Sequence, residues 1–327
     1  MLVPVLLFIA GLILLIKGGD WFVDGATDLA HRFHVPELII GATVVAIGTT
    51  LPEVLVSATG ALKGHGGIAY GNAIGSVICN TALISALTFA IRPCKVEKES
   101  FKVPVYFFFA AAALYAGTAY LTGDFTRITG ILLMSLFMAY IVYTIWNGKR
   151  KGLIGQAAEE EENDGEEESP LWKMIAMLVV GAACIAVGAN LLVDNGTIIA
   201  TALGVPESVI ALTFVALGTS LPELVTAITA LAKGHSALSL GNIVGANLFN
   251  LVLVSGLSTV LSPFTLSEVG GKQIAGAPMS LVVDIPVMLF VMAFMTIPAI
   301  KREKLTRAQG VILLCVYAAF CVFQFVY

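Results

Sequence analysis

The chain is written in long apolar runs separated by short polar breaks. Ten runs reach the roughly 20 residues a helix needs to cross a bilayer core: approximately 3–24, 36–62, 70–91, 103–121, 126–146, 172–194, 206–232, 240–261, 281–300 and 308–326. The pattern predicts an all-α membrane protein with ten transmembrane helices, several of them interrupted by Gly and Pro. The first run has no basic segment before it, and no small-residue cleavage site follows Lys17-Gly18-Gly19-Asp20, so it is expected to stay in the mature chain. Composition agrees. Of 327 residues 58% are apolar and 12% charged, about half the charge of a soluble chain, and the mean hydropathy is +0.92. A soluble domain on one anchor, a nucleic-acid binder and a disordered chain are excluded.

The formal net charge of −4 hides a division. Eight of the 22 acids lie in one tract, Glu159 to Glu162, Asp164 and Glu166 to Glu168, and without it the remainder carries +4. Cytoplasmic loops are enriched in Lys and Arg. Placing both termini outside puts Arg32, Arg92, Lys95, Lys98, Lys102, Lys149, Arg150, Lys151, Lys173, Lys233, Lys301, Arg302, Lys304 and Arg307 inside, and only Lys63, Arg127 and Lys272 outside. The acidic tract then falls in a cytoplasmic loop of a plasma (cell inner) membrane protein, where its composition is that of a solvated linker. The five cysteines are scattered, without CxxC or metal-ligand spacing, and read as small buried side chains.

A shift of 170 residues aligns 18–93 on 188–263 without a gap, with 29 of 76 positions identical. Val35-Pro36-Glu37 meets Val205-Pro206-Glu207, Leu51-Pro52-Glu53 meets Leu221-Pro222-Glu223, and Lys63-Gly64-His65 meets Lys233-Gly234-His235. Each half holds five spans, an odd number, so the two are expected to cross the membrane in opposite senses: a first repeat at 1–148, an acidic loop at 149–171 and a second repeat at 172–327. Inverted-topology repeats are the architecture of secondary transporters, whose ion sites lie near the midplane where interrupted helices meet.

Within each repeat one span reads A-[IL]-G-T-[TS]-L-P-E, at 46–53 and 216–223. An ionised Glu at the bilayer centre costs several kcal/mol and must face an interior that supplies a cation. Pro52 has no N–H for the Gly48 carbonyl, nor Pro222 for that of Gly218, so each helix is expected to break just before its carboxylate. Freed carbonyls near Ala46 to Thr49, with Thr49 one turn from Glu53, would put carbonyl, hydroxyl and carboxylate oxygens on one face; Ala216 to Thr219 and Glu223 repeat the set. The next span reads G-N-x-x-G-[SA]-x-x-x-N. Gly71/Gly75 and Gly241/Gly245 have the GxxxG spacing of closely approaching helices, while Asn72, Ser76 and Asn80 form a polar stripe answered by Asn242, Ala246 and Asn250.

Hard cations prefer such oxygens. Ca²⁺ takes six to eight of them flexibly, whereas Zn²⁺ prefers His and Cys, and two carboxylates balance one divalent ion. Other repeated polar residues have plainer readings: Asn72 and Asn242 as interhelical hydrogen-bond formers, Asp24 and Asp194 as interfacial acids, Lys17 with Asp20 as a local pair. His65 and His235 read as solvated turns, and Glu37 and Glu207 as helix-start acids.

At GTTLPEV…GNAIGSVICN and GTSLPEL…GNIVGANLFN the chain resembles the cation/Ca²⁺ exchanger superfamily, in particular the prokaryotic Na⁺/Ca²⁺ exchangers, and the likeness covers its whole length. The resemblance implies Ca²⁺ on Glu53, Glu223, Thr49 and Thr219, and Na⁺ around Ala46, Thr50, Ser76, Ala216, Thr219 and Ser220, with Asn80 and Asn250 lining the centre. It also implies that the first and sixth spans slide against the rest. Ala246 departs from the family by removing a hydroxyl. Asn250 stands where some members carry Asp and weakens the case for K⁺ cotransport. Ca²⁺, Na⁺ and the lipid bilayer are the partners expected; no cofactor, nucleic acid or obligatory protein partner is evident. A Ca²⁺/H⁺ antiporter would use the same two Glu, since a proton can replace a metal on a buried carboxylate. An intramembrane hydrolase lacks a convincing catalytic set, and a passive channel lacks an obvious pore.

Overall fold

The computed structural model describes residues 2–63, 66–150, 170–203, 218–269, 273–274 and 276–326. Helix α1 (Leu2–Arg32) is followed by α2 (Glu37–Ile40), which runs through a π-helical turn at Gly41–Val45 into α3 (Ala46–Leu62). Helix α4 (Gly66–Cys79) likewise passes through a π turn at Asn80–Ser85 into α5 (Ala86–Ile91). Helices α6 (Lys98–Leu121) and α7 (Arg127–Arg150) follow. Beyond the loop come α8 (Leu171–Ala202), α9 (Leu221–Lys233) and α10 (Ser236–Phe249). A π turn at Asn250–Val254 leads into α11 (Ser255–Leu261). Another at Ser280–Asp284 leads into α12 (Ile285–Arg302), and α13 (Arg307–Val326) follows.

Among the described residues, nine helical stretches are long and apolar enough to cross a membrane. The run expected at 206–232 is seen only as a turn at 218–220 and α9; residues 204–217, like 151–169 of the acidic loop, lie outside the described residues.

Helices α1 and α8 are the longest, with 31 and 32 residues, or about 47 Å each. They pack along most of their length, and glycine sets the register. A Cβ on Gly11 would lie 2.9 Å from the Gly188 carbonyl, one on Gly18 2.9 Å from that of Gly181, and one on Gly25 2.9 Å from that of Met174. The paired numbers fall on one helix as they rise on the other, so the two helices are antiparallel with backbones in contact. Without a hydrophobic drive between helices in lipid, such close packing is what holds them. The opposite face of α1 presents Leu2, Leu6, Ile9, Ile13 and Ile16, exposed at helical spacing and suited to acyl chains.

The most enclosed span is Ser236–Leu261, 83% buried in its most apolar window. Val244, Leu248, Phe249 and Leu251 meet Val77 and Ile78 of α4, Phe108 and Tyr115 of α6, and Met288 and Met292 of α12 in the main core. The GxxxG expectation holds on one side only. A Cβ on Gly241 would strike the Leu38 carbonyl, and one on Gly245 would lie 2.7 Å from Ala42 backbone atoms, whereas at Gly71 and Gly75 nothing among the described residues comes within 4 Å.

Two short antiparallel ladders tie loops together. Cys94 pairs with Leu305 and Lys95 with Lys304; Asp124 pairs with Thr265 and Phe125 with Phe264.

Candidate cation-binding site

Pro52 sits inside a continuous α3. The expected break just before Glu53 is therefore corrected: the irregularity lies earlier, at the π turn Gly41–Val45. One missing N–H is tolerated because neighbouring packing supports the turn. Phe22 of α1 lies over it, 2.8 Å from where a Gly48 Cβ would be; Tyr140 of α7 supports the earlier π turn instead, donating its hydroxyl to the Ala42 carbonyl at 2.8 Å. In the second motif a helix begins just before the carboxylate; what precedes residue 218 lies outside the described residues. Gly218-Thr219-Ser220 form a turn, Ser220 is the N-cap residue, and Pro222 stands in the first turn of α9, where no intrahelical partner awaits its N–H. Glu223 thus occupies a helix N-terminus, whose exposed amides favour a negative charge, while Glu53 lies in mid-helix.

Both carboxylates are fully buried, with 0% exposure, and close enough for their charges to interact. Asn80 and Asn250 each open a π turn. The extra residue in such a turn re-aims the side chains that flank it, and π turns concentrate at functional sites. The turn headed by Asn80 packs against α9, which carries Glu223, and the one headed by Asn250 packs against α3, which carries Glu53. Each half therefore packs a π turn against the helix that carries the other's carboxylate.

Eight side-chain oxygens on six of these residues are buried without a hydrogen-bond partner: both carboxylate oxygens of Glu53 and of Glu223, the amide oxygens of Asn80 and Asn250, and the hydroxyls of Thr50 and Ser220. The Thr49 and Thr50 hydroxyls approach Glu223 but do not meet hydrogen-bond geometry with it. Buried polar groups are nearly always bonded, and leaving one bare costs about 1–3 kcal/mol, more when charged. Among the described residues the other bare buried atoms belong to groups such as Tyr70, Ser239 and Thr259, and none of them is a carboxylate. Among the described residues neither makes an ion pair, and no group of three or more His, Cys, Asp or Glu assembles. A donor set of carboxylate, amide and hydroxyl oxygens matches hard cations.

Most of the remaining candidates are buried or half-buried. Ala46 is buried, and its carbonyl and the Asn242 amide oxygen lie 3.4 and 3.1 Å from the Thr49 hydroxyl. Ser76 is buried and Thr219 half-buried in its turn. Ala216 lies outside the described residues. Asn72 behaves as a structural amide, donating to the Ser57 hydroxyl at 2.9 Å and the Glu53 carbonyl at 3.4 Å. His235 is not a solvated turn: its Nδ1 lies 2.7 Å from Glu37 Oε1, so Glu37 is an interhelical partner as well as a helix-start acid. Thr81 and Asn247 escaped the sequence reading. The Asn247 amide donates to the Thr81 hydroxyl at 2.8 Å and the Met292 sulfur at 3.2 Å, beside Asn80. Neither residue has a polar counterpart 170 positions away, Val77 and Leu251 standing there, so a search for repeated polar positions passes over both.

Comparison with known proteins places the site in context. A family model described as sodium/calcium exchanger protein matches residues 3–146 and again 173–326. An uncharacterized membrane protein of Methanocaldococcus jannaschii is 36% identical over 95% of this chain and 94% of its own length. The sodium/calcium exchanger MaX1 of Methanosarcina acetivorans is 31% identical over 98% of each. Among solved structures, the sodium-calcium exchanger NCX_Mj soaked with Na⁺ and Sr²⁺ superposes with a TM-score of 0.78 at 32% identity, over 97% of both chains.

Proposed function

This chain belongs to the sodium/calcium exchanger protein family, and we propose that it is a secondary antiporter exchanging Na⁺ for Ca²⁺ across the plasma (cell inner) membrane by alternating access. The observation that carries the reading is the pair of fully buried carboxylates without a hydrogen-bond or ion-pair partner, set among bare amide and hydroxyl oxygens. Ca²⁺ binds Glu53, Glu223, Thr49 and Thr219. Na⁺ competes through Ala46, Thr50, Ser76, Ala216 and Ser220, with Asn80 and Asn250 lining the pocket.

Ten transmembrane helices form two inverted five-helix repeats, 1–148 and 172–327, with both termini outside and the 149–171 loop cytoplasmic. Three observations support the inversion. The family model matches two successive stretches. Helices α1 and α8, which start the two repeats, are antiparallel. The two ladders also exchange roles: Cys94 in the first repeat corresponds to Phe264 in the second, and each pairs with the loop between the last two helices of the other repeat.

The electrostatics explain coupling. Cations neutralise the two carboxylates, and the loaded pocket can pass between outward and inward access. Emptied, it would hold two desolvated negative charges without compensation, which is costly; that state crosses poorly, so exchange prevails over leak.

Ca²⁺ uptake into proteoliposomes loaded with Na⁺, compared with a pH gradient at clamped voltage, tests the proposal. Na⁺-driven uptake, lost in Glu53→Gln and in Glu223→Gln, is expected. Uptake driven only by the pH gradient would replace Na⁺ with H⁺, and undiminished uptake by either Gln variant would overturn the site.

A further inference from the structure

No residue of the repeated Lys-Gly-His tripeptide is among the proposed cation ligands. In the second copy Lys233, the last residue of α9, places its ammonium 2.7 Å from Asp24 Oδ1 and 3.5 Å from Asp20 Oδ1, and donates to the Asp20 carbonyl at 3.3 Å. Gly234 follows at φ 92°, a left-handed helix cap suited to glycine. The turn it makes brings His235 to Glu37 at the start of α2. Three consecutive residues thus fasten this end of α9 to α1 and α2.

The 170-residue shift maps Lys233 onto Lys63, Asp24 onto Asp194 and Asp20 onto Asn190. Lys63 caps α3 and is exposed; Asp194 lies in α8 and is exposed. Neither side chain has an ion-pair or hydrogen-bond partner among the described residues. The glycine register places Asp24 beside Ile175 of α8 and Asp194 beside Val5 of α1. The two acids are therefore about 19 residues, or roughly 28 Å, apart along the α1/α8 pair, close to the thickness of a bilayer core. One lysine–aspartate pair is made, while its counterpart at the other end is open.

We propose that these pairs are alternating clasps. Lys233 with Asp24 and Asp20 ties the α1/α8 pair to α9 at one membrane face in the conformation described, and Lys63 with Asp194 ties it to α3 at the opposite face in the other access state. The clasps rest on the inverted-repeat reading above. Because α1 and α8 touch backbone to backbone at Gly11, Gly18, Gly181 and Gly188, they move as one body, so a shift that parts Lys233 from Asp24 carries Asp194 along with it. Asn190 stands where a second acid would repeat, leaving the Lys63 clasp one carboxylate poorer and the balance tilted toward the Lys233-closed form.

Brief acetylation of lysines in the purified protein, read by mass spectrometry against exposed Lys95, tests this. In the parent, Lys63 is expected to be modified faster than Lys233. Partly exposed ion pairs shift a two-state ratio by about two- to fivefold. Asp24→Asn should raise Lys233 modification by that factor and lower that of distant Lys63 by less, since the favoured form already leaves Lys63 open; Asp194→Asn should lower Lys233 modification, and Asp24→Glu should restore the parent ratio. An Asp24→Asn protein in which Lys233 alone responds would overturn the clasps, as would an Asp194→Asn protein with Lys233 unchanged. Labelling does not depend on which ion is carried, so reciprocal labelling without Na⁺-driven Ca²⁺ uptake would sink the ion assignment and leave the clasps. Modification of both lysines from one side of sealed vesicles by an impermeant reagent would sink the inversion and the clasps together.

Discussion

Replacing Gly18 by Ala puts a methyl carbon where the helix-to-helix gap holds none. The new Cβ would lie 2.8 Å from Cys184 Cβ, 2.9 Å from the Gly181 carbonyl oxygen and 2.9 Å from the Ile185 nitrogen. Two of those three atoms are backbone and cannot swing aside, while carbon contacts are optimal at about 3.5–4.0 Å. Helices α1 and α8 must therefore separate locally by roughly 0.5–1 Å, and a gap of that size forfeits about a quarter to a half of each contact's attraction. With packing the main cohesion in lipid, the expected loss is about 1–3 kcal/mol, the usual cost of overpacking. Gly181→Ala meets the mirrored obstacle, 2.7 Å from the Phe22 nitrogen and 2.9 Å from the Gly18 carbonyl. The two glycines share one gap, so the double variant should lose less than the sum of the singles, with a coupling of about 0.5 kcal/mol or more. Thermal unfolding in detergent, followed through Trp21 on α1 and Trp172 on α8, measures this. Gly117→Ala on α6 is the control: nothing among the described residues lies within 4 Å of its Cβ, and helix propensity favours the change by up to about 1 kcal/mol. A Gly18→Ala protein that melts with the parent, or a double variant that loses more than the sum, refutes backbone contact as the cohesion of this pair.

Thr50→Val and Ser220→Ala remove hydroxyls that are buried without a partner. Both should melt at or above the parent temperature without ions, since no hydrogen bond is lost, yet require more Na⁺ for half-maximal exchange; a lower melting point with unchanged Na⁺ dependence would assign these hydroxyls to the fold instead. Tyr140→Phe leaves the Ala42 carbonyl without its hydroxyl donor, and should cost about 1–3 kcal/mol in the same melting assay; a neutral result would mean that the π turn satisfies that carbonyl unaided.

Sequence pattern was a reliable guide wherever one property had one structural outcome, and failed where one spelling had two. A ~20-residue apolar run can do little in a bilayer but form a helix, and nine of the ten expected runs appear as such. A carboxylate in such a run must be compensated, which made Glu53 and Glu223 legible without any contact being known. The spelling L-P-E occurs twice, yet Pro52 lies within a helix and Pro222 begins one, because what a proline does depends on whether a neighbour, as Phe22 does against Gly48, supports the turn it weakens. GxxxG also occurs twice, but a backbone lies against Gly241 and Gly245 and none of the described residues against Gly71 and Gly75; spacing permits approach without causing it. The π turns at Asn80 and Asn250 left no trace in the pattern, since one extra residue within a continuous apolar stretch changes neither composition nor length. Likewise the first run was expected to end near residue 24, with Asp20 a local partner of Lys17 and Asp24 an interfacial acid. Helix α1 continues to Arg32, and both acids meet Lys233, more than 200 positions away. That partner was already written in the repeat as Lys-Gly-His. Its meaning rests on the proposed inversion, under which the two copies stand at opposite ends of the same helix pair and need not be engaged together.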